Sequence, residues 1–251
     1  KAKFKHRCIQ INRKMEGRGK MIEFSELIIG SVEDYDKLYD YVGKEAIDDY
    51  AVETLKRFVG TSCNKIVVEY PYHDKDFLST YYCYYSQKFR SFPKKCYRLH
   101  IMGKDEVYYG YIVLRPTVKG TRLGTTYLSP KPLINEEAYL MLAKYEAHIM
   151  DNKCEIKCFP WMKQEVDISV CAHVAAWTIL RYYGNKYHNY ADTTMGAIAQ
   201  KIKGDMGRKT PSNGLTPVQI ADLFQEYGFS PIIRGGIKEE NSKFLDEIMA
   251  Y

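Results

Sequence analysis

The stretch Gln164-Glu165-Val166-Asp167-Ile168-Ser169-Val170-Cys171-Ala172-His173-Val174-Ala175-Ala176-Trp177-Thr178-Ile179-Leu180-Arg181-Tyr182-Tyr183-Gly184 governs how the second half of the chain is read. From Cys171, the residues Val174, Ala175, Thr178, Ile179 and Tyr182 recur at helical intervals, so the spacing predicts one helix with this set on one face. Gly184 is placed to cap its C-terminus. Asp167 or Ser169 is the natural N-cap, which sets Cys171 in the first turn. There the unpaired backbone N–H groups and the positive end of the helix dipole favour a thiolate, the nucleophilic form. A cysteine among Val and Ala neighbours is also a common inert core residue, so position alone leaves both uses open.

Gln164 adds a second group. An amide just upstream of a helix-borne nucleophile can donate to the oxyanion formed when a carbonyl is attacked, with the helix's own N–H as a second donor. A lone glutamine before a helix is otherwise a surface residue. Downstream, Asn213-Gly214-Leu215-Thr216 opens a second amphipathic helix. Thr216 caps it, Pro217 suits its first position, Gln219 completes a capping box, and Gly228 ends it.

Gln164, Asp167, Cys171 at a helix start, the closing Arg181-Tyr182-Tyr183-Gly184 and the second helix together resemble the papain-like cysteine peptidases. Nearest among these are the peptidase domains of bacteriocin-exporting transporters, which cleave after double-glycine leaders. The resemblance spans roughly Trp161–Ile233 and implies a papain-like cysteine-peptidase fold of class α+β, preceded by a mixed α+β domain. It implies a thiol hydrolase acting on peptide or isopeptide bonds of a peptide or protein substrate, with Cys171 as nucleophile and Gln164 as the oxyanion-hole glutamine. Two features depart from the family pattern. The interval from Gln164 to Cys171 is one residue longer than is common, and Ala172 stands where the transporter peptidases usually carry glycine.

A cysteine nucleophile also needs an imidazole and a group to orient it. In the family that histidine lies on a strand well after the nucleophile helix, and here only His173 and His188 follow Cys171. His173 is about 200° around the same helix and so points away from the thiol, and His188 lies in the loop Tyr187-His188-Asn189-Tyr190. The resemblance makes residues 241–251 the helix before the histidine strand, so the base is expected beyond Tyr251 and the papain-like region is expected to be truncated. Two other uses of the same residues stay open: a transglutaminase-like acyl transferase, and a catalytically inactive scaffold that binds an acidic partner or nucleic acid.

The chain has 251 residues, room for two modest domains. Its +6 net charge is uneven. Residues 1–22 hold eight Lys and Arg against Glu16 alone, an arm suited to nucleic acid or an acidic partner, or else a solvated tail. Residues 23–158 read as a mixed α+β domain and 159–251 as the papain-like domain, with the boundary near Phe159-Pro160-Trp161. Within the former, Glu45–Val59 has helical spacing and Lys65–Tyr70 is a strand closed by Pro71. Strands are then predicted at Arg98–Met102, Glu106–Leu114, Arg122–Leu128, Ala138–Met150 and Lys153–Cys158, the last two a hairpin on an Asp-Asn turn.

Phe77, Tyr81, Tyr85 and Phe89 fall four apart, an aromatic helix stripe that reads as core packing. Lys88, Arg90, Lys94, Lys95 and Arg98 border it, the composition of a single-strand nucleic-acid platform; rings at helical spacing are more often buried than offered to bases. No apolar run of about 18 residues is present, so no membrane contact is expected. Seven cysteines, odd in number and scattered, favour free thiols in a reducing compartment, the cytoplasm. Cys154 and Cys158 would lie about 13 Å apart along a strand with no second ligand pair at zinc spacing, so no metal is predicted. No glycine-rich phosphate loop occurs, and no cofactor is expected.

Overall fold

A computed structural model describes residues 22–132, 139–165, 171–202 and 214–234. Five strands, β1 (Glu23–Ile28), β2 (Cys63–Tyr72), β3 (Cys96–Gly103), β4 (Tyr108–Leu114) and β5 (Leu123–Leu128), form one antiparallel sheet in chain order. β2 and β4 carry long buried runs because both faces of this sheet are covered. On one face Leu27, Ile66, Val68, Leu99, Ile101, Ile112 and Leu114 pack with Leu38 and Val42 of α1 (Leu38–Val42) and Ala51 and Leu55 of α2 (Asp49–Phe58). The alternate residues Tyr111, Val113 and Tyr127 meet Phe77 of α3 (Lys75–Cys83) and a hairpin of β6 (Ala143–Ile149) and β7 (Asn152–Cys158). Period-two alternation thus feeds two cores from one sheet.

Local chemistry sets the ends of these elements. Asp48 caps α2 by accepting from the Ala51 N–H at 3.0 Å, and its other oxygen accepts from the Gly120 N–H at 2.7 Å. β2 does not stop at Pro71 as predicted. It runs on to Tyr72 through an irregularity in the β2–β3 ladder between Glu69 and Tyr72, where proline's missing N–H is tolerated. The predicted hairpin forms, with Ile149 opposite Asn152, so the turn residues are Met150 and Asp151 and not Asp-Asn. β1 was not predicted: it is an edge strand in which only Leu27 is buried, and its polar residues hide the pattern.

The helix read from Cys171 is present as α4 (Cys171–Lys186), but two details differ. It passes through Gly184 without capping there. A Cβ at Gly184 would sit 2.9 Å from the Ala191 carbonyl oxygen, so the glycine permits a close approach of the chain after the helix. The buried face also does not follow the predicted stripe. His173, Ala176, Trp177, Leu180 and Arg181 point inward together with Thr178 and Tyr182 of the predicted stripe, whereas Cys171, Ala175 and Ile179 are exposed.

A buried ion pair accounts for that rotation. Arg181 Nη2 donates to Asp76 Oδ1 at 2.9 Å and Oδ2 at 2.7 Å, and also to the Thr193 carbonyl at 2.7 Å. Trp177 Nε1 donates to the same Asp76 Oδ1 at 2.9 Å. α3 and α4 are therefore locked together across residue 159, and Tyr182 joins the core of the hairpin face. Met162, Trp177 and Leu180 then pack with Met195 and Ile198 of α5 (Met195–Lys201), an unpredicted helix, and Leu223 of α6 (Pro217–Glu226). α6 begins as read, with the Thr216–Gln219 capping box and Pro217 in the first turn.

Candidate active site around Cys171

The approach to α4 is built on the free edge of β5. Thr126 and Trp161 exchange backbone hydrogen bonds at 2.7 and 3.0 Å, and the Lys163 N–H donates to the Leu123 carbonyl at 3.1 Å. Residues 161–163 thus run beside the sheet. Arg115 fixes the next step from below: its Nη2 donates to the carbonyls of Thr121, Leu123 and Lys163 at 2.6, 3.1 and 3.0 Å. Its Nη1 lies 3.7 Å from the Glu165 carboxylate. Both Arg115 and Glu165 are buried. Burial pulls the Arg115 guanidinium down to about 10, with Asp74 opposing that fall.

Gln164 lies between these two anchored neighbours, and its side chain faces solvent. Cys171, the first described residue of α4, is also exposed, the one exposed cysteine among those described. Burial pushes the thiol of Cys158 up to about 12 and raises Cys63 as well, so those sulfurs are held as thiols. Asp167 and Ser169, the predicted caps, lie outside the described residues, as do the arm 1–21 and residues 235–251. Among the described residues no hydrogen bond joins Gln164 to Cys171, and no imidazole bonds the sulfur. His173 is buried on the opposite side of α4, as its angle around the helix predicts, and His188 is exposed beyond the helix's far end.

Known families, characterised proteins and solved structures offer no match to this chain. Its chemistry must therefore be argued from the residues themselves.

Two clusters escaped the sequence reading. The first is Asp76 with Arg181, whose one signal was an arginine within an otherwise apolar helix. The second crosses β2, β3 and β4: Glu69 accepts from Arg98 Nε at 2.6 Å and lies 3.1 Å from His100 Nε2, while His100 Nδ1 is 2.8 Å from the Tyr108 hydroxyl. Burial lowers the His100 pKa, with Glu69 opposing, so this imidazole is neutral near pH 7. It is fully buried, which makes it an internal cross-link of the sheet.

A polar cleft of about 530 Å³ opens between the C-terminal half of α4 and the sheet, lined by Lys75, Tyr111, Tyr127, Tyr145, Arg181 and Asp192. Ten residues of helix separate Arg181 from Cys171, about 15 Å, so the cleft is distinct from the thiol. Among the described residues no group of three or more His, Cys, Asp and Glu is placed to hold a metal ion, and no helix is long and apolar enough to cross a membrane.

Proposed function

We propose that the chain is a thiol hydrolase of papain-like fold acting on peptide or isopeptide bonds, with Cys171 as nucleophile and Gln164 as donor to the oxyanion. One observation carries this reading: Cys171 is exposed on α4, a helix whose opposite face is fixed in the core. A rigid helix that presents sulfur to solvent meets the positional demand of nucleophilic catalysis. Arg115 supports Gln164 by holding the Lys163 carbonyl on one side and pairing with Glu165 on the other. Neither His173 nor His188 is placed to serve Sγ, and this reading takes the imidazole that amide hydrolysis requires from outside the described residues.

An activated ester tests the nucleophile separately from the base, because p-nitrophenolate leaves without needing a proton. Sγ attacks the carbonyl carbon of a peptidyl p-nitrophenyl ester, the C–O bond to p-nitrophenolate breaks, and a thioester remains on Cys171. Intact mass should show a single acyl adduct that is absent in Cys171→Ala. Gln164→Ala should slow the burst by about 10²-fold, the loss typical of one oxyanion donor. Acylation that persists in Cys171→Ala, or falls equally on the other cysteines, rules the assignment out.

A further inference from the structure

The aromatic stripe divides into a buried root and an exposed rim. α3 ends at Cys83 and a 3-10 turn follows over Tyr85–Gln87, so the rings after Tyr82 leave the helical register. Phe77 and Tyr85 are buried, but Tyr82 is 60% and Phe89 fully exposed. The rim stays joined to the root by ring contacts: Tyr81–Tyr82 at 5.5 Å, Tyr84–Tyr85 at 5.2 Å and Tyr85–Phe92 at 4.7 Å between centroids. Tyr82 and Phe92 are thus held in place from beneath, while Phe89 stands clear in solvent.

The rim is uniformly cationic. Residues 77–104 contain six Lys and Arg and no Asp or Glu. Arg98 is engaged by Glu69, and Lys88, Arg90 and Lys94 sit over rings. Lys94 Nζ lies 4.9 and 4.8 Å from the Tyr81 and Tyr82 centroids, Lys88 Nζ lies 4.3 Å from Tyr84, and the Arg90 guanidinium carbon lies 5.7 Å from Phe92. Among the described residues no carboxylate lies within ion-pair distance of Arg90, Lys94 or Lys95.

We propose that this rim, Tyr82, Phe89, Arg90, Phe92 and Lys94, binds single-stranded nucleic acid, with bases stacked on the exposed rings and phosphates paired with Arg90 and Lys94. Exposed rings beside Arg90 and Lys94, which have no carboxylate partner among the described residues, suit a ligand that alternates flat π-faces with negative charges. Single strands do so and duplexes, whose bases are already stacked, do not. The site is separate from Cys171, and its fate is independent of the hydrolase reading.

The test is fluorescence anisotropy of a labelled oligo(dT) of about 16 nucleotides, long enough for one such site, titrated with the full chain. The two rim cations, Arg90 and Lys94, contribute about −1.4 to the salt slope of log K against log salt, at roughly −0.7 per phosphate contact. Arg90→Glu with Lys94→Glu should reduce that slope by about 1.4. Phe89→Ala alters no charge, and its full exposure makes misfolding no concern. It should weaken binding by about 5- to 150-fold, the range for losing one stacked base, with the slope unchanged. Binding by the basic arm alone would survive Phe89→Ala intact and overturn the proposal. So would equal affinity for a duplex of the same length, affinity for polyglutamate without affinity for oligo(dT), or no binding at about 50 mM salt.

Discussion

Replacing Arg181 by methionine probes the contact that fixes the orientation of α4. The substitution keeps the aliphatic volume but removes the guanidinium that donates to both Asp76 oxygens and to the Thr193 carbonyl. Asp76 would keep the Trp177 Nε1–H at 2.9 Å and the Met195 N–H at 3.2 Å, but with no cation beside a carboxylate that is 3% exposed. Breaking a buried pair from one side costs about 3–5 kcal/mol, or about 6–20 °C in Tm for a chain of this size. Burial already pushes the Asp76 pKa up, and Arg181 is the main force holding it down. Without Arg181 the carboxyl rises further in the folded state. Its protonation then favours folding, so the deficit should be full at neutral pH and shrink as pH falls through that raised value.

Urea unfolding followed by tryptophan emission suits the measurement. Trp177 is fully buried on the affected carboxylate, while Trp161 is 40% exposed. Asp76→Asn combined with Arg181→Met removes both charges, keeps an acceptor for Trp177 and Met195, and should recover about 2–3 kcal/mol relative to additivity. A single mutant within about 1 kcal/mol of the parent, together with an additive double mutant, would refute a coupled buried pair.

Two further outcomes follow from buried groups near α3. Burial, with a contribution from Asp76, pushes the Asp74 carboxyl up to about 6 against the pull of its bond to the Phe77 N–H. Its folded pKa thus lies above its unfolded one, so the folded form binds the proton more tightly. The Asp74 contribution to stability should be lost as pH rises from about 4 to about 6, and Asp74→Asn should flatten the Tm–pH profile there. At Gly196 in α5, helix propensity favours alanine by about 1 kcal/mol, yet a new Cβ would lie 2.6 Å from the Ser79 carbonyl oxygen. Chemical denaturation should therefore show net destabilisation of about 1–2 kcal/mol, and a stabilised Gly196→Ala would mean that α3 and α5 do not pack this closely.

How much the sequence disclosed depended on whether the deciding force was local. Local signals placed α2, α6, the hairpin and the strands at β3, β4 and β5, because spacing, capping residues and turn chemistry are written within each segment. α6 begins where Thr216, Pro217 and Gln219 put it. What was missed depends on partners distant in sequence. β1 is an edge strand recognisable by its pairing with β2, and α5 is held by Gly196 against Ser79, well over a hundred residues earlier. The exposed rim of Tyr82 and Phe89 was hidden for the same reason. Four-residue spacing assumes a helix that in fact ends at Cys83. At the candidate site, the positions of Gln164 and Cys171 were legible, but the Arg115 clamp that holds the approach to them was not, since Arg115 comes from the end of β4.

The face of α4 shows why such a miss matters chemically. Two stripes on this helix have helical spacing: Cys171, Val174, Ala175, Thr178, Ile179 and Tyr182, and the stripe of His173, Ala176, Trp177, Leu180 and Arg181. Hydropathy favours the first, because an arginine at a core position is costly unless it is paired. Asp76 supplies that pair from α3, and Trp177 brings a large apolar area and an N–H that needs the same carboxylate. Together they outweigh the methyl groups of Ala175 and Ile179, and α4 turns these and Cys171 outward while Thr178 and Tyr182 stay buried. Had the hydropathic face won, the sulfur of Cys171 would have been sealed in the core, where burial keeps a thiol protonated and inert. The buried charge on one side of the helix is therefore the physical reason that a thiol is available on the other.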